Sequence, residues 1–126
     1  VGQIIKITSV NSDTLFLESP LRMNYTVNST AKINKLNPKK NVGIECLKIL
    51  RTTNDAFQSS NIRFNYAANC RLKGIESDSA NFAHVDVSNS THIKISNSYF
   101  HDAYDYGGNG MAYGVMLQFT SGECLV

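Results

Sequence analysis

Residues 80–126 read ANFAHVDVSNSTHIKISNSYFHDAYDYGGNGMAYGVMLQFTSGECLV and hold three short runs in which apolar and polar residues alternate. Within each run a period of two fits and the helical 3.6 does not, so each is read as a strand. The same frame recurs outside this stretch. Val42-x-Ile44-x-x-Leu47-x-Ile49 is followed by Cys70-x-Leu72-x-x-Ile75-x-Ser77 and Ile93-x-Ile95-x-x-Ser98-x-Phe100, and it restarts at Cys124. The anchors Val42, Cys70, Ile93 and Cys124 fall 28, 23 and 31 positions apart. Before each later anchor lies a further alternating run, at 62–66, 83–87 and 115–119, closed by a polar turn. Repeats of this size, each with two or three short strands and polar corners, predict a solenoid whose turns share one apolar column.

The N-terminal part differs. Residues 2–10 and 14–21 alternate around Asn11-Ser12-Asp13, which predicts a β-hairpin with a three-residue loop, its second strand ended by Pro20. A further short strand is expected at 31–36 (AKINKL), before Asn37-Pro38. The expected division is therefore a hairpin or capping segment over 1–40 and repeats over 41–126, incomplete at the C-terminal end, as in a fragment of a longer chain.

Composition narrows the function classes. Charged residues make up 17 %, and a net charge of +2 is too small to argue for nucleic acid. No apolar run approaches the ~20 residues of a membrane-spanning helix, so membrane insertion is not expected. Lys32, Lys35, Lys39, Lys40, Lys48 and Arg51 lie close together in sequence. Such a cluster either solvates strand edges or attracts an acidic polymer.

Stacking makes two checkable statements about cysteines and asparagines. Cys70 and Cys124 hold equivalent anchors with one repeat between them, about 9–10 Å apart at ~4.8 Å per strand. A disulfide needs Cα atoms within ~7 Å, so three free thiols are expected, two of them facing the core. Asn41 and Asn69 precede successive anchors and are read as a short ladder, which ends where the position passes to His92 and Glu123.

The frames NVGIECLKI, NCRLKGIES and THIKISNSYF resemble the repeats of right-handed parallel β-helix proteins of the pectin-lyase-like superfamily, and the 2–21 hairpin is similar to the segment preceding the helix in many of them. The resemblance implies an all-β solenoid of about three coils. It also implies an extracellular or cell-surface location, and a role in binding and cleaving an acidic polysaccharide. The superfamily includes lyases, hydrolases, epimerases and phage tailspikes, so fold alone does not fix activity. A non-catalytic β-helix in adhesion, a tailspike or a surface assembly remains the alternative, with a β-sandwich binding module as a third. The chain lacks the NTD…DD…GHG…RIK series of polygalacturonases, and it has no tryptophan for the pattern of pectate lyases.

Candidate site residues follow from strand parity. With Val85 and Val87 inward, His84 and Asp86 point outward, and stacking sets Arg63 and Gln118 on the same face. The insertion 101–113 is expected to fold over that face, bringing His101, Asp102, Asp105, Tyr106 and Tyr113. In a lyase, His84, Tyr106 or Arg63 would serve as base, with Arg63 or a bound calcium stabilising the enolate. In a glycosidase, Asp86, Asp102 and Asp105 would supply the carboxyl pair. Catalytic candidates are thus His84, Asp86, His101, Asp102 and Asp105. Substrate-binding candidates are Arg63, Tyr106, Tyr113 and Gln118. No dedicated cofactor is expected, and the histidines and cysteines show no zinc-motif spacing. Gly107, Gly108 and Gly110 are read as corner residues, not as a phosphate loop.

Overall fold

The computed structural model describes residues 2–26, 28, 30–55, 58–106, 108 and 110–126. Gly107 and Asn109 of the expected loop lie outside them. The chain is all-β: among the described residues, one antiparallel pair and three parallel sheets account for the strands.

The parallel sheets are built by tiers. Strands β3 (Lys39–Lys40), β4 (Gly43–Glu45), β5 (Lys48–Leu50) and β6 (Ile62–Asn65) form the first. The second tier is β7 (Ala67–Lys73), β8 (Glu76–Ala80) and β9 (Ala83–Ser88), and the third is β10 (Thr91–Ser96), β11 (Tyr99–Ala103) and β12 (Tyr113–Gln118). Every strand of the second tier pairs in parallel with strands of both neighbouring tiers, β7 with both β3 and β4 before it and β10 after. Residues 122–125 begin a fourth level through bridges of Gly122 to Thr91 and Leu125 to Lys94.

The registers reproduce the sequence offsets. Gly43 pairs with Arg71, Cys70 with Ile93, and Lys94 with Leu125. These are the 28-, 23- and 31-residue steps that set Val42, Cys70, Ile93 and Cys124 in one column. The inward positions therefore stack like on like: Ile44 on Leu72 on Ile95, and Ile62 on Val85 on Val115. Leu72, Ile75, Val85, Val87 and Ile93 are fully buried, and Ile44, Ile49, Phe100, Val115 and Cys124 pack against them from the end tiers. This arrangement is compatible with a β-helix.

Corners repeat as faithfully as strands. Asn41, Asn69, His92 and Glu123 have φ of 59°, 54°, 54° and 55°, and Cys46, Gly74 and Asn97 have 53°, 63° and 49°. A left-handed residue costs a non-glycine roughly 1–2 kcal/mol. Asparagine meets that cost more easily than most side chains, which explains its frequency at these positions. The column read as an asparagine ladder is thus first a column of left-handed bends. The ladders run on through them, as in Cys46 N–H to the Lys73 carbonyl (3.0 Å) and Gly74 N–H to Ser96 (3.1 Å), so the bent amides stay satisfied.

Several local expectations are corrected. The hairpin is shorter than its alternation suggests: β1 (Ile7–Asn11) pairs with β2 (Thr14–Leu17), and Asn11 pairs directly with Thr14, leaving a two-residue turn. Its second strand stops before Pro20. Residues 31–36 form no strand, and Ile33 is 78 % exposed. Among the described residues no neighbouring strand pairs with it. The segment before the tiers reaches the far end of the stack, where Arg22 forms an ion pair with Glu123 (3.3 Å). His101 and Asp102 belong to β11, so the long connection to β12 spans 104–112 only. All three cysteines are free, with Cys70 in the core, Cys124 partly buried and Cys46 exposed.

Candidate functional site

Three outward faces carry polar side chains. On the β6–β9–β12 face, parity places Arg63, Asp86 and Gln118 together. Arg63 Nε lies 2.9 Å from Asp86 Oδ2, while Gln118 Nε2 and the Ser88 hydroxyl each donate to Asp86 Oδ1 at 2.8 Å. Asp86 is only 1 % exposed, whereas the Arg63 side chain is 58 % exposed. A carboxylate enclosed by three donors is a fixed acceptor and is poorly placed to take a substrate proton.

His84 leaves this face. Its ring is buried, stacked on Phe100 with centroids 5.6 Å apart, and bonded at both nitrogens. Asn61 Nδ2 donates to the Ser77 hydroxyl (2.9 Å), which is left to donate to His84 Nδ1 (2.9 Å). Nε2–H then donates to the Asp102 carbonyl at 3.1 Å. This chain of donors sets one neutral tautomer. Burial holds the imidazole below the usual histidine range, and the Asp102 carbonyl opposes that shift only in part. Ser77 has no exposed surface, so this serine–histidine pair is a structural strut out of substrate's reach. The expected outward His84/Asp86 pair is therefore not formed: β9 is buried along both faces, and the imidazole is claimed by Ser77 and Phe100.

The polar strut continues sideways. Arg51 donates to Asn61 Oδ1 (2.9 Å) and to Asp55 Oδ2 (3.1 Å), and Asn81 Nδ2 donates to Asp55 (2.7 Å). Arg51, counted in sequence among the basic cluster, thus serves the interior of the stack.

His101 and Asp102 sit on the exposed face of β5–β8–β11. Asp78 and His101 are register partners on adjacent strands. His101 Nδ1 lies 2.8 Å from Asp102 Oδ2 and 3.9 Å from Asp78 Oδ1, and Nε2 lies 3.4 Å from Glu76 Oε1. Tyr99 stacks on the same ring at 4.5 Å. The Asp102 carboxylate, and then Glu76, raise the His101 pKa above the usual histidine range. Glu76 is held below the ordinary carboxylate range chiefly by Lys48. Asp105 and Tyr106 are exposed in the 104–112 connection, while Tyr113 meets Phe82 edge-on at 5.6 Å. Tyr104, from the same connection, is tied to the Arg51 carbonyl (2.8 Å). The nine residues singled out from sequence thus divide between three places: Arg63, Asp86 and Gln118; His101 and Asp102, with His84 behind them; and Asp105 and Tyr106 in the connection before β12, with Tyr113 at the start of that strand.

The third face was not singled out. On β4–β7–β10 strict alternation turns Arg71, Lys73 and Lys94 outward, over inward Leu72, Ile93 and Ile95. Arg71 and Lys94 are direct register partners, and Lys73 follows Arg71 by one outward position. With Glu45, Ser96 and Asn97 they line an open groove of about 540 Å³. Glu45 pairs with Arg71 at 2.7 Å, while Lys73 and Lys94 have no carboxylate partner among the described residues. Gly43 makes room for this: a Cβ there would stand 3.1 Å from Arg71 Nε. The signal was present in sequence, since adding the 23-residue step to Arg71 lands on Lys94.

Comparison of the chain with family models, with curated proteins and with solved structures gives no match.

Proposed function

We propose that the chain is part of a right-handed parallel β-helix protein of pectin-lyase-like architecture, working at the cell surface or outside the cell, which binds an acidic polysaccharide along its β4–β7–β10 face. The observation that carries this reading is the juxtaposition of Arg71 and Lys94 on neighbouring strands, with Lys73 beside them and one carboxylate among the three. Like charges directly opposite each other cost stability in a sheet. A polyanion laid across the strands would convert that cost into binding. Arg71 and Lys94 stand one strand step apart, about 4.8 Å, which suits two neighbouring charges of a polyanion. Binding without turnover is the favoured form, because the Asp86 carboxylate is enclosed and His84 is buried.

The test is the affinity of the chain for polygalacturonate against neutral dextran, measured by calorimetry at low and physiological salt. The expectation is selective binding that weakens with salt, because released counterions gain less entropy in a more concentrated solution. It should weaken about tenfold in the Arg71→Gln/Lys94→Gln double variant, a loss of ~1.4 kcal/mol. Equal affinity for dextran, or a double variant that binds like the parent, would remove the proposal. A lyase assay for unsaturated product should show no turnover.

A further inference from the structure

The exposed face of β5–β8–β11 holds a second cluster that the binding groove does not use. Its parts come from two strands. Asp78 of β8 lies opposite His101 of β11, and Asp102 follows with a φ of 58°. One ligand atom from each of Asp78, His101 and Asp102 lies within 4.8 Å of the others. Both carboxylates are nearest to the same ring nitrogen, at 2.8 Å and 3.9 Å.

Charge is unbalanced at this point. Glu76 is neutralised by Lys48. Asp78 and Asp102 form no ion pair with a lysine or arginine among the described residues, Lys48 acting on Asp78 only at longer range, and the His101 imidazole is the ionisable group in contact with both. Two carboxylates at one nitrogen set a demand for positive charge that a single proton meets only in part.

The ring is also held for one orientation. Tyr99 stacks on it at 4.5 Å and 22°, and Glu76 Oε1 accepts at Nε2. A carboxylate on the far nitrogen is the usual partner of a ligating histidine, because it fixes the ring and raises the basicity of the near nitrogen. Metal–nitrogen and metal–oxygen bonds of ~2.0–2.2 Å place neighbouring ligand atoms roughly 3 Å apart. The spacings here approach that, with only the Asp78 side chain required to close in. An imidazole with two carboxylate oxygens suits first-row divalent ions better than the all-oxygen shell of calcium.

We propose that Asp78, His101 and Asp102 form a binding site for a divalent first-row transition ion, with Glu76 orienting the imidazole. The ion replaces the proton on Nδ1 and ties β8 to β11, with water completing its coordination. The ligands belong to two tiers. The 23-residue step that joins Cys70 to Ile93 also joins Asp78 to His101.

The test uses the whole chain with Cys46→Ser, which removes the exposed thiol as a competing ligand. Cobalt(II) is titrated by its visible absorption, and zinc(II) competition by calorimetry gives affinity and stoichiometry. One ion per chain is expected, with binding weakened at least tenfold by His101→Gln and by Asp102→Asn, and far-ultraviolet circular dichroism unchanged. Asp102→Asn retains a side chain that tolerates the left-handed backbone, so the two variants fail to fold for different reasons, if at all. Absence of saturable binding would overturn the proposal. So would binding that survives His101→Gln, which would place the ion elsewhere, for example at His92 and Glu123. Neither outcome depends on the polysaccharide groove.

Discussion

Leu72→Ala tests the stacking of tiers most sharply. Leu72 lies in the middle strand of its sheet, in register with Ile44 below and Ile95 above, and it has no exposed surface. The substitution deletes three carbons, a transfer loss of about 2.4 kcal/mol at ~0.8 kcal/mol per methylene. Parallel ladders on both sides hold the backbone, so the site closes poorly. A residual void of roughly 60 Å³ adds ~1.4 kcal/mol. The expected destabilisation is therefore near 4 kcal/mol, toward the top of the ~2–5 range for such changes. Ile44→Ala removes a similar side chain from a partly exposed end position of the same column and should cost about half as much. Urea unfolding followed by circular dichroism reads both. With a slope of ~2 kcal/mol/M, Leu72→Ala should lower the midpoint by about 2 M. The reasoning is refuted if Leu72→Ala costs under ~1.5 kcal/mol, or if Ile44→Ala costs as much.

Two further outcomes concern the buried polar strut and the histidines. Ser77→Ala leaves Asn61 Nδ2 and His84 Nδ1 without the hydroxyl between them, and should destabilise by roughly 2–4 kcal/mol despite the small volume change; a loss below ~1 kcal/mol would show that the strut is not needed. Histidine titration by NMR in chelator-treated buffer should separate His84, below the ordinary ~6.5, from His101, above it. The signs differ: the stability supplied by His84 is present above ~6.5 and lost as pH falls through its folded pKa, while that supplied by His101 is present below ~6.5 and lost as pH rises through its own. Both resonances titrating on the same side of 6.5 would contradict the two environments.

Much of the fold was legible because parallel stacking copies register into sequence spacing. Offsets of 28, 23 and 31 between anchors are the pairings of Gly43 with Arg71, Cys70 with Ile93 and Lys94 with Leu125. Period two also set Arg63, Asp86 and Gln118 on one face. The rest depended on corners. His84 occupies an outward parity position, yet the β8–β9 corner brings it against Ser77 and Phe100, which no periodicity encodes. Residues 31–36 alternate as well as many strands do, but a strand needs a partner, and none pairs with them among the described residues. The two sites now favoured, Arg71 with Lys94 and Asp78 with His101, were readable through the 23-residue step.

The claim that an acidic polysaccharide lies across β7 and β10 is tested most directly by amine acetylation footprinting. The chain is labelled with and without saturating polygalacturonate, and each lysine is read by mass spectrometry. The account predicts that Lys73 and Lys94 are protected several-fold, while Lys6 on the hairpin segment and Lys48 beside Glu76 are labelled as before. Equal protection of all four, or none at Lys73 and Lys94, would contradict it.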